Sequence, residues 1–85
     1  MPQINTNNVF WREKDGVVTV LVIATGEYFE FNRVGSAVWK GIAEGLAADA
    51  IIDRLAQTYD TTREQLAIDV HALIVKMIAR ELIEE

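Results

Sequence analysis

The hydrophobic period of this chain changes at Asn32, and that switch limits what the chain can become more than any other feature. Before it, β-branched and aromatic residues run from Val9 to Phe31, broken by short turn signals. After it, apolar residues recur every three to four positions, as on helices that bury one side. The first run, Val9 to Glu13, ends at Lys14-Asp15-Gly16, where Asp-Gly supplies the positive φ of a tight hairpin. Val17 to Ala24 is long and apolar, as a central strand requires. Thr25-Gly26 marks a second turn, and Glu27-Tyr28-Phe29-Glu30-Phe31 is a third strand. That strand lies at a sheet edge with unpaired N–H and C=O groups, an aggregation hazard or a docking site for another strand.

Asn32 is a predicted N-cap, and Val34, Val38, Trp39 and Ile42 share one side of a short helix that stops at Gly45. A second helix opens at Ala48 or Asp49, turns Ile51, Ile52 and Leu55 inward, and ends near Tyr59. A third begins at Thr61 or Thr62, with Thr61 and Glu64 at capping-box spacing. Leu66, Val70, Leu73, Ile74, Met77 and Ile78 give this helix a broad apolar stripe, with Glu64, Asp69, Lys76 and Arg80 largely off it. Leu82 and Ile83 either extend it or start a terminal strand. Three strands and three short helices cannot stand apart, so the helices must cover the sheet. The expectation is an α+β domain of order βββααα, resembling a winged helix-turn-helix. Its 85 residues form one domain, 1–85, with 1–8 flexible.

Composition removes several function classes. Without cysteine there are no disulfides, zinc-thiolate sites or thiol nucleophiles. A net charge of −5 argues against a nucleic-acid partner and favours a protein or peptide. No apolar run approaches the roughly 18 residues of a membrane span, and the polar Met1 to Asn8 segment lacks the features of a signal peptide, so a cytoplasmic protein is expected. The lone His71 has no second histidine or cysteine to share a metal, and Asp69 points elsewhere on the helix. The five glycines have no phosphate-loop spacing, and no nucleophile elbow surrounds Ser36, Thr58, Thr61 or Thr62. Glu27 with Glu30, and Glu81 with Glu84 and Glu85, read as solvated charge. No enzyme chemistry and no cofactor are expected. The aromatic residues are more informative. Trp39 and Phe31 lie where the sheet meets the first helix, while Tyr28 and Phe29 point to opposite sides of the edge strand, so one of them is a candidate anchor for a docked peptide.

The stretch Thr25-Gly26-Glu27-Tyr28-Phe29-Glu30-Phe31-Asn32, followed by Gly35 and Trp39, resembles the signature of PqqD-like proteins. Gly45, Ile51 to Leu55, Tyr59-Asp60, Asp69-Val70 and Leu82-Ile83-Glu84 continue the similarity, which covers Val9 to Glu84 in order. The resemblance implies a recognition element for ribosomally synthesised, post-translationally modified peptides (RiPPs), which binds a precursor's leader as an antiparallel strand on the third strand. It implies a backbone edge of Glu27, Tyr28, Phe29, Glu30 and Phe31, with a helical wall from His71, Val75 and Lys76. The implied partners are the leader peptide and a modifying enzyme, either a radical SAM enzyme or a leader peptidase and cyclase. Glu81 stands where many relatives have glycine, so the third helix is expected to run on further. Two alternatives remain open at this stage: a winged-helix DNA-binding or regulatory module, and a homodimer formed through the third strand.

Overall fold

The computed structural model describes residues 1–85. Its elements are β1 (Gln3–Ile4), β2 (Val9–Lys14), β3 (Val17–Val22), β4 (Tyr28–Glu30), α1 (Arg33–Ala43), α2 (Ala48–Thr58), α3 (Arg63–Ala79) and β5 (Ile83–Glu84). The three predicted strands are β2, β3 and β4, an antiparallel sheet in that order, so the α+β expectation holds. Asp15 and Gly16 both adopt positive φ, 54° and 81°, the handedness that matches a two-residue hairpin to the twist of β2 and β3. Val20 pairs with Trp11 on one side and Phe29 on the other. Strand alternation therefore turns these three inward, with Val9, Val18, Val22 and Phe31. It leaves Phe10, Arg12, Thr19, Leu21, Tyr28 and Glu30 on the outer face.

Asn32 caps α1 as predicted, its Oδ1 accepting from the Gly35 N–H at 2.8 Å. Trp39 of α1 is wholly buried, its ring centroid 5.9 Å from that of Trp11 and 5.6 Å from that of Phe31. Its indole Nε1–H is buried without an acceptor. Ser36, also buried, bridges two strands: its Oγ accepts from the Val18 N–H at 2.8 Å, and its hydroxyl donates to the Phe31 C=O at 3.3 Å. α1 meets α2 closely at Gly41, where a Cβ would come within 2.7 Å of Ile51 Cγ1. Ile51, Ile52 and Leu55 of α2 and Leu66, Val70, Ile74 and Met77 of α3 complete the core. Each contributes about 1.5–3 kcal/mol of burial.

Three sequence expectations are corrected. Thr62 caps α3, accepting from the Gln65 N–H at 3.1 Å, so the Thr61–Glu64 box is not the start of the helix. α3 does not run on through Glu81. It stops at Ala79, and Glu81 itself takes a left-handed φ of 60°, the conformation a helix-ending glycine would supply. Residues 1–8, expected to be flexible, are tied down. β1 pairs antiparallel with β5, Ile4 opposite Ile83, and the Asn5 and Asn8 side-chain amides both donate to the Glu81 C=O, at 3.3 and 3.0 Å. No helix is long and apolar enough to cross a membrane.

Candidate functional site

β4 has a neighbour on one side only, so half of its backbone groups face away from the sheet. Which half follows from the ladder. The Phe31 N–H donates to the Val18 C=O, and the Glu27 C=O accepts from the Val22 N–H, so the odd-numbered residues spend their backbone groups on β3. Tyr28 and Glu30 fall in the alternate pairs, opposite Leu21 and Thr19, and direct one N–H and one C=O each toward the open edge. A second chain laid alongside would meet four ladder groups in register.

Beside that edge the inward side chains of β4 and one face of α3 enclose an apolar cavity. Phe29, Phe31, Leu73, Met77 and Leu82 form its surface, with Lys76 and Arg80 at the rim, and its volume is about 200 Å3. The Arg80 guanidinium carbon stands 5.1 Å from the Phe29 ring centroid, a cation–π contact that fixes one end. Toward the start of α1 the groove continues between Asn32, Val34, Asp69, Ala72, Leu73 and Lys76. Asp69 there accepts from Gln65 Nε2 at 3.0 Å. A groove of this kind can hold an extended segment through its backbone and through alternate side chains.

The structure places the predicted site residues in three groups. Phe29, Phe31 and Lys76 line the apolar cavity. Glu27, Tyr28 and Glu30 lie on or beside the edge with exposed side chains. Those of Tyr28 and Glu30 turn to the outer face, where both border a shallow depression with Arg12, Lys14, Asp15, Val17 and Thr19. His71 and Val75 are elsewhere, and their assignment to the groove wall is corrected. Each is two residues from Leu73, hence about 160° round the helix from it, and both are exposed. With Ile68 and Ile78 they form an outward stripe on α3 that touches neither β4 nor the core. Asp69, Ala72, Leu73, Met77, Arg80 and Leu82 take the places assigned to them. The spacing of Asp69, Leu73, Lys76 and Arg80 at three or four residues is the signal in the sequence that marks this face.

No group of three or more histidine, aspartate or glutamate side chains is arranged to hold a metal ion. The largest cavity, about 560 Å3, lies under the N-terminal segment between Pro2, Gln3, Ile4, Trp11, Ile42 and Ala43, away from β4, and has no titratable side chain.

Solved structures share this architecture. TbiB1 in complex with the TbiA(beta) leader peptide superimposes with a TM-score of 0.90 at 28% identity, over 96% of this chain and 94% of that one. Lasso peptide synthetase B1 complexed with the leader peptide gives a TM-score of 0.89 over 99% and 98% of the two chains. At 15% identity that second likeness speaks to the fold alone. No curated protein matches the chain significantly. The family profile described as coenzyme PQQ synthesis protein D (PqqD) matches residues 18–83, from the second strand of the sheet to the terminal strand, and the chain belongs to that family.

Proposed function

We propose that this chain binds the leader region of a ribosomally synthesised precursor peptide by antiparallel strand addition to β4, and presents the peptide to a modifying enzyme or leader peptidase. The pathway is RiPP biosynthesis of the lasso-peptide or PqqD type, and the chain acts there as one non-catalytic, cofactor-free recognition domain in the cytoplasm. The observation that carries this reading is the juxtaposition of the free Tyr28 and Glu30 backbone groups with the apolar groove of Phe29, Phe31, Leu73 and Met77. Main-chain pairing supplies a sequence-independent grip, and the groove selects alternate side chains. The leader-bound state of the 28%-identical TbiB1 supports the same use of the fold.

Chemistry is left to the partner, a radical SAM enzyme or a peptidase and cyclase. Holding the leader raises the local concentration of the attached core peptide to roughly the millimolar range, provided the linking segment spans the distance. The outward face of α3 carries Glu64, Ile68, His71, Val75 and Ile78 with no arginine or lysine among them, which disfavours that helix as a DNA reader. Fluorescence-anisotropy titration of the chain with leader peptides encoded beside its gene tests the proposal. Saturable binding at moderate salt is expected. Failure of every neighbouring precursor, together with a concentration-dependent dimer in light scattering, would return β4 to a self-pairing role.

A further inference from the structure

α3 breaks a local rule beside the groove. Lys76 and Arg80 stand one turn apart on the face toward β4, so two like charges are neighbours on the helix surface, an arrangement that works against the helix. Neither has a carboxylate within ion-pair reach, because the chain's three ion pairs are Lys40–Glu13, Arg54–Glu44 and Arg63–Asp53. In a protein of net charge −5 these two cations nevertheless stay unneutralised, and Arg80 is held in place over the Phe29 ring. The only carboxylate lining the groove is Asp69, at the opposite end and already engaged by Gln65. The groove is therefore polarised along its length, anionic near the start of α1 and cationic near Phe29.

We propose that this polarity selects an extended segment in which an apolar anchor is followed, within two residues on its C-terminal side, by a carboxylate. The inference rests on the leader-binding reading and deepens it. A guest antiparallel to β4 enters at Asn32 and Val34 and leaves at Tyr28, so it passes Asp69 first and Arg80 last. Its inward side chains recur every second residue, about 7 Å apart. With one apolar side chain seated among Phe29, Phe31, Leu73, Met77 and Leu82, the next inward position reaches the Arg80 guanidinium, with Lys76 at the rim. A carboxylate there accepts a forked pair of hydrogen bonds from the arginine. It also relieves a repulsion that the free protein carries, a gain available only in the bound state. A lysine at the same position adds a third like charge and is refused.

The test is selection of a phage-displayed library of random linear peptides, about 12 residues long, on the full chain at about 50 mM salt, where screening is weak. One selected peptide is then remade with its glutamate or aspartate as the amide, and as lysine. Both are titrated against the wild-type chain, Arg80→Lys, and the double variant Lys76→Gln/Arg80→Gln. The expected result is enrichment of acidic residues just C-terminal to an apolar one, with affinity about fivefold lower for the amide peptide and lower still for lysine. The preference should shrink toward unity in the double variant and at about 500 mM salt, and survive in part in Arg80→Lys. Selected peptides without acidic enrichment, or an amide penalty unchanged in the double variant, would overturn the charge rule and leave leader binding standing. A library that yields no binder of any sequence would overturn both.

Discussion

The sheet has two edges, β2 and β4, and they are built differently. On β2 the outward ladder positions are the odd-numbered ones, because the Ile23 N–H donates to the Asn8 C=O and so fixes the alternation. There the Val9 N–H is taken by the Asn5 C=O of the preceding turn, and Trp11 packs edge-on against Trp39. Arg12, Glu13 and Lys14 put charge along the rest, with Glu13 tied to Lys40 of α1 at 3.0 Å. Charges and local cover of this kind are how sheets avoid unwanted pairing. β4 has neither. It is only three residues long, its single charged side chain is Glu30, and beside it lies an apolar groove instead of a cap. One edge is closed against strands in general, and the other is left open in a setting that admits a chosen one.

Trp39 joins the two edges, since it touches Trp11 of β2 and Phe31 beyond β4. Trp39→Ala should cost about 3–5 kcal/mol, a large share of the roughly 5–15 kcal/mol available to a small domain. Urea unfolding would register it, and both edges should lose amide protection together. Ser36→Ala separates them. It strips a buried acceptor from Val18 and a donor from Phe31, at a cost of about 1–3 kcal/mol. Hydrogen exchange should show the loosening on the β4 side with β2 less affected. Glu30→Pro removes an N–H that points to the open edge without touching the ladder to β3, and should weaken leader affinity about tenfold with an unchanged circular-dichroism spectrum. The mirror change Glu13→Pro, on the closed edge, should leave affinity within about twofold. The smallest effect belongs to Arg54→Ala, remote from both edges. Two hydrogen bonds from Arg54, aided by its charge, hold the Glu44 carboxyl below the usual carboxylate range. The stability this lends is present above the ordinary carboxylate pKa and is lost as pH falls through the depressed one. The variant should therefore flatten the acid limb of a stability–pH curve slightly and leave leader binding alone.

Much of this fold is legible because its signals are local. Asp15-Gly16 fixes a hairpin by φ alone, Asn32 caps α1 with its own side chain, and the alternation of Glu27 to Phe31 fixes which aromatic faces in. The groove wall was less legible, and α3 shows why. The helix is apolar nearly all round: Leu66, Val70, Ile74 and Met77 face the core, while Ile68, Val75 and Ile78 face solvent. Periodicity then marks a helix without saying which side meets β4, and His71 and Val75 are assigned to the wrong one. Lys76 and Arg80 read as solvated charge in one dimension, and only the packing of α3 against the sheet gives them a place beside Phe29. The β1–β5 pair escapes notice for a related reason. Two residues per strand are too few for alternation, and the Asn5 and Asn8 bonds to Glu81 join positions more than 70 residues apart.

The brevity of β4 also sets a clock. Two outward residues offer a guest two N–H and two C=O groups, and at about 0.5–1.5 kcal/mol net for each bond the backbone contributes about 2–6 kcal/mol before the entropy of ordering is subtracted. Micromolar affinity needs about 8 kcal/mol, so side chains in the groove must supply the remainder. A peptide held at that strength, arriving at about 10⁶ M⁻¹s⁻¹, departs within about a second. A longer edge would hold its guest longer and return it more slowly. Three residues of strand suit a protein that must give up each finished peptide before the next can enter.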